Sequence, residues 1–145
     1  MIWTGIVTVC LVCIAIGLMQ SARFLALRHV WGRPTLVVEE IAAKFFPMEQ
    51  RDIASKVLRL LTPYLPVSAG RVHPDDRLID DLGLSACLSR GLDEVEFVHD
   101  LEDEFKIEFG EDDYLHMQTF RDTVEIVAVK ISMDQSHLYT AQAVN

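Results

Sequence analysis

The amino-acid sequence predicts an all-α protein, a four-helix bundle preceded by a single N-terminal transmembrane helix. Three observations predict it. Residues 1–22 contain no charged side chain. Three later stretches, 49–64, 92–105 and 120–133, repeat apolar residues at spacings of three and four, the period of one helix face. Charge also divides along the 145-residue chain: residues 1–74 hold 4 acids and 8 bases, net +4, and residues 75–125 hold 17 acids and 4 bases, net −13. Such a split predicts two parts in different surroundings.

The first element is the anchor. Ile2 to Met19 is almost wholly apolar, and about twenty residues make a helix of roughly 30 Å, enough to cross a hydrocarbon core. A signal peptide would carry its bases before a shorter apolar core. Here Arg23, Arg28 and Arg33 follow it, with His29 among them. By the positive-inside rule the C-terminal side is cytoplasmic. The expected location is the inner (cytoplasmic) membrane, single-pass, with the soluble domain in the cytoplasm and membrane contact through residues 2–22. Trp3 and Trp31 bracket the run, so anchor plus interface helix cover residues 1–31, until Arg33-Pro34 ends the helix.

Residues 32–48 form a juxtamembrane linker with a short helix over 36–46, which either packs on the domain or lies along the membrane. Residues 49–134 form the helical domain. In its first helix, 49–64, Ile53, Val57, Leu60, Leu61 and Tyr64 share a face, and Pro63 and Pro66 stop it. The connection 66–90 is long for a structureless loop, so Val72, Leu78, Ile79 and Leu82 are expected to tuck inward. In the acidic helix 92–105, Leu92, Val95, Val98, Leu101 and Phe105 form the apolar stripe, with Phe97 at its margin. A short helix follows over 110–117, its start carrying Glu111, Asp112 and Asp113 as suits a helix N-terminus. The last helix, 120–133, turns Phe120, Val124, Val127 and Ile131 to one side, with Thr119 as N-cap and Asp122 three residues on. Residues 135–145 have no apolar period and are expected to be a flexible tail.

Several function classes are excluded on chemistry. Three cysteines, two of them (Cys10, Cys13) inside the apolar run and Cys87 alone, make neither a disulfide framework nor a zinc site. His73, His99, His116 and His137 are dispersed, with no nucleophile–base arrangement, so no catalytic residue is assigned and the chain is not an enzyme. Asp80-Asp81 and Glu111-Asp112-Asp113 lack the spacing of a calcium loop, so no metal is expected. The acidic domain would repel phosphates, which excludes nucleic acid and favours a basic protein surface as partner. The expected partner-binding residues are Asp93, Glu94, Glu96, Asp100, Asp103 and Glu104, on the polar side of the acidic helix.

Asp80-Asp81-Leu82-Gly83, then Leu92-Asp93-Glu94-Val95-Glu96-Phe97-Val98 running into Leu101-Glu102-Asp103-Glu104-Phe105-Lys106-Ile107, resemble the acyl carrier proteins. So does Thr119-Phe120-Arg121-Asp122-Thr123-Val124, placed where that family opens its last helix. The resemblance covers roughly residues 49–133 and implies an acyl-carrier-like four-helix bundle. It also implies a serine at the start of the second helix, esterified to 4′-phosphopantetheine, whose phosphate the helix N-terminus favours. Anchored on Leu92-Asp93, that position holds Gly91, preceded by Arg90, and the loop from Gly83 is five residues longer than the family's. Gly83-Leu84, Gly91 and Phe105-Lys106-Ile107 also resemble the DUF1493 group of small enterobacterial acyl-carrier-like proteins. With no hydroxyl at Gly91 no cofactor is expected, and the chain reads as a membrane-anchored interaction module. The alternative is a genuine carrier bearing 4′-phosphopantetheine on Ser85 or Ser89 and serving a membrane acyl-transfer or lipid-modifying system.

Overall fold

A computed structural model describes residues 28–84 and 93–142. The expected transmembrane helix falls outside them, and no helix of the described residues is long and apolar enough to cross a membrane. Five helices follow a helical turn at residues 28–31: α1 Val38–Phe45, α2 Arg51–Leu61, α3 Asp93–Phe105, α4 Glu111–His116 and α5 Phe120–Gln142. Single 3-10 turns flank α2 at Met48–Gln50 and Thr62–Tyr64, and another lies at Ala69–Arg71. The described residues contain no strand, only an isolated bridge between Arg77 and Thr119.

Helix α2 is the centre of the bundle, packed on by α1, α3 and α5. Its buried residues are Ala54, Val57, Leu58 and Leu61, whereas Ile53, Leu60 and Tyr64 are only partly buried. The spacing rule selected the right helix but too narrow a face, because three neighbours cover α2 where the expected stripe implied one.

The segment before α2 is part of the core. Val30, Ile41, Ala42 and Phe46 are buried with the α2 residues, and Phe46 meets Phe120 edge-on at 5.6 Å. Of the two placements open to the short helix, packing on the domain is therefore the one observed. Residues 31–36 lie along the 69–76 loop like a strap. Leu36 N–H donates to the Gly70 carbonyl at 2.8 Å, Arg71 Nη1 donates to the Trp31 carbonyl at 2.7 Å, and Arg33 reaches Asp76 at 2.6 Å. An added Cβ at Gly70 would overlap the Leu36 carbonyl and the Thr35 methyl, so only glycine permits this approach.

The long connection is ordered by the apolar residues within it. Val67, Ala69, Val72, Leu78, Leu82 and Leu84 are buried, but Ile79 is exposed, contrary to expectation. The loop's backbone is spent on α5's approach: Leu78 N–H donates to Gln118 O at 2.9 Å and Arg121 N–H to Pro74 O at 2.8 Å. Gly83 turns the chain back with φ 73, and Gly83 N–H and Leu84 N–H close onto Ile79 O and Leu78 O. Ile79 sits on the outer side of this coil.

Thr119 and Asp122 form the expected reciprocal cap, each side chain accepting from the other's backbone N–H at 3.1 and 2.9 Å. Phe120, Val124 and Val127 are buried and Ile131 partly so. Helix α5 continues to Gln142, well past 133 and into the stretch expected to be a flexible tail. Residues 121–142 contain no Gly or Pro, and once a helix is nucleated each further residue adds one backbone hydrogen bond.

Candidate functional site

The acidic helix α3 is held by Phe97 and Leu101, both fully buried. Phe97 packs edge-on against Tyr64 with ring centroids 6.0 Å apart, and Val98 and Phe105 are partly buried. The stripe expected along Val95, Val98 and Phe105 is therefore turned. Phe97 is at its centre, and Val95 faces solvent. The helix ends at Lys106, whose φ of 55 places it in the left-handed region. This lets Ile107 N–H reach back to Glu102 O at 3.3 Å. Glu102 turns toward the same end, its carboxylate accepting from Phe109 N–H at 2.9 Å.

The six expected partner-binding acids differ in their surroundings. Glu96, Asp103 and Glu104 are exposed. Asp103 stands 3.6 Å from His99 Nε2 and Glu104 3.7 Å from Lys56 Nζ, loose surface pairs that water screens. Asp100 is half-buried and accepts the Tyr64 hydroxyl at 2.5 Å, a tie within the bundle. Asp93 and Glu94 lie in the first turn of α3, their side chains outside the described set. Ser85, Cys87, Ser89 and Gly91 fall outside the described residues, and the neighbouring Leu84 is buried.

Beside α3 the structure has a groove of about 770 Å³ between residues 77–84, α3 and α4. Leu78, Leu84 and Phe97 form its buried floor, and Ile79, Val95 and Leu115 its exposed apolar walls. Asp80, His99, Glu102 and Arg77 stand among its polar lining, with Arg77 paired to Asp80 at 2.5 Å. Sequence reasoning missed this groove because it assigned Ile79 and Val95 inward. The available signal was Tyr114-Leu115, two large apolar residues in a six-residue acidic helix.

Helix α4 is pinned by Asp113, whose carboxylate accepts from Gly110 N–H at 2.6 Å and meets Lys130 Nζ at 2.5 Å. The Lys130 hydrogen bond, then the Gly110 one, hold the Asp113 carboxyl below its ordinary range. Among the described residues no cluster of His, Cys, Asp or Glu could hold a metal ion.

No family model matches the chain. Among curated proteins it is similar to the acyl carrier protein of Solidesulfovibrio magneticus, 31% identical over 79 residues. The match spans 54% of this chain and 95% of that protein. With a helical bundle, an acidic helix on its surface and an aligned relative covered almost end to end, the chain belongs to the acyl carrier protein family, whose members are carriers and not enzymes.

Proposed function

We propose that this chain is a membrane-anchored, acyl-carrier-like interaction module that docks a basic protein partner through the acidic face of α3. One observation carries this reading. Phe97 and Leu101 fasten α3 to the bundle, while Glu96, Asp103 and Glu104 stand exposed on it. Packing needs none of these three charges, and clustered acids on one helix repel each other. A basic surface would relieve that repulsion and be steered toward it. The anchor at residues 2–22, the inner-membrane location with a cytoplasmic domain, the likeness to the DUF1493 group and the loss of the attachment serine to Gly91 belong to the same proposal. Reversing Glu96, Asp103 and Glu104 to lysine tests it. Partners recovered with the wild-type chain should be lost, and undiminished recovery would sink the reading.

A second reading is favoured by Leu84. It is buried and lines the groove, and Ser85 is the next residue in the sequence. The relative in Solidesulfovibrio is named an acyl carrier protein, and Ser85 is one candidate to carry a 4′-phosphopantetheine arm. Ser89 is the other candidate. Incubation with a broad-specificity phosphopantetheinyl transferase, followed by intact-mass measurement, separates the readings. A mass gain of one arm, abolished by Ser85→Ala or Ser89→Ala, makes the chain a genuine carrier. No gain supports the module without a cofactor.

A further inference from the structure

We propose that the groove beside α3 seats the apolar face of an amphipathic helix belonging to the basic partner. The inference rests on the docking reading and names the partner's contacting element. Its first support is a coincidence of exposed apolar side chains. Ile79, Val95, Tyr114 and Leu115 are 54, 63, 47 and 66% exposed, and all four line this one depression. Single exposed apolar residues are ordinary, but a contiguous patch over a buried apolar floor marks a contact site. The four come from three separate elements: the 77–84 loop, α3 and α4.

The second support is charge. Asp80 and Glu102 lie in the groove's lining, Glu96 and Asp103 stand exposed on α3, and α4 opens with exposed Glu111 and Asp112. The basic side chains present do not reverse that sign. Arg77 is paired with Asp80 at 2.5 Å, and His99 lies 3.6 Å from Asp103 and 4.0 Å from Glu102. An apolar channel with acidic sides complements a helix carrying apolar anchors at i, i+3 or i+4 and i+7, flanked by Lys or Arg. A fatty acyl chain would match the floor but offers no cation to those sides.

The test uses the full-length chain in zwitterionic nanodiscs, with empty nanodiscs as the blank. The probe is a fluorescent Leu/Lys peptide of about 18 residues, five helical turns, with leucines on one face and one replaced by a photoreactive leucine analogue. The control peptide has the same composition in an order that destroys the apolar face. Tight binding of the first peptide only, with cross-links in 77–84, 95–99 and 114–118, is expected. The Ile79→Gln/Val95→Gln/Leu115→Gln variant, altered only at exposed sites, should weaken binding at least about tenfold.

Equal binding of both peptides, or cross-links elsewhere, would overturn the inference. If Glu96→Lys/Asp103→Lys abolishes binding but the triple variant does not, the docking reading stands and the groove inference falls. If neither variant changes binding, both fall. If dodecanoate binds with sensitivity to the triple variant while the peptide does not bind, the groove is an acyl site and the inference is overturned.

Discussion

Arg33 Nη1 lies 2.6 Å from Asp76 Oδ2, joining residues 43 positions apart across the strap and the long loop. The same carboxylate oxygen accepts from His73 N–H at 2.7 Å, and Asp76 is 5% exposed. Arg33 also donates to the Arg71 carbonyl at 3.3 Å. The basic residue read as a membrane-flanking charge is thus a structural partner of the domain. Asp76→Ala leaves Arg33 and the His73 N–H without their acceptor and is expected to cost about 3 kcal/mol. Urea denaturation of both proteins measures it, and an unchanged midpoint would remove the clasp from the fold's support.

The turned stripe of α3 makes a sharp contrast between two neighbours. Phe97→Ala empties a fully buried site and should destabilise the protein by about 3–5 kcal/mol. Val95→Ala, at an exposed wall of the groove, should change stability by less than about 0.5 kcal/mol. Equal losses in thermal melts would restore the simple reading of the period.

Lys106 adopts a left-handed backbone at the end of α3, a conformation that costs a non-glycine residue about 1 kcal/mol. Lys106 is exposed, so Lys106→Gly should raise stability by about that amount, less some unfolded-state entropy. A lower melting temperature would contradict the cap geometry.

Asp113 predicts a pH dependence. Its carboxyl is held below the ordinary value by the Lys130 hydrogen bond and then by Gly110 N–H. The stabilisation is therefore present above the unfolded carboxyl's value of about 4 and disappears as pH falls through the lower, folded one. Asp113→Asn keeps an acceptor for Gly110 but loses the ion pair, so it should be less stable than the wild type at pH 7 by about 0.5–1 kcal/mol. Denaturation at pH 7 and near pH 3 should show the gap closing. A gap that stays constant would rule out the titration as its cause.

Helices α2, α3 and α5 were legible in the sequence because each carries a three-to-four apolar period, and Thr119 with Asp122 marked the start of α5. What the period did not reveal is how many neighbours a helix has. Leu58 is buried because α2 is covered on several sides, and Val95 is exposed because Phe97 takes the contact with Tyr64. The Arg33–Asp76 clasp was illegible for a different reason, since nothing local links residues so far apart. Asp100 was read as a docking acid on its charge alone. Its hydrogen bond from Tyr64 changes the choice of residues that can test docking without disturbing the bundle.

That choice defines the most direct measurement. Full-length chain is cross-linked in cells and purified, and recovered proteins are quantified for the wild type and for Glu96→Lys/Asp103→Lys/Glu104→Lys. Asp100 is left intact. The docking account predicts that basic partners fall roughly tenfold or more in the variant and that wild-type recovery weakens with salt. Every partner retained by a folded variant, at any salt, would contradict it.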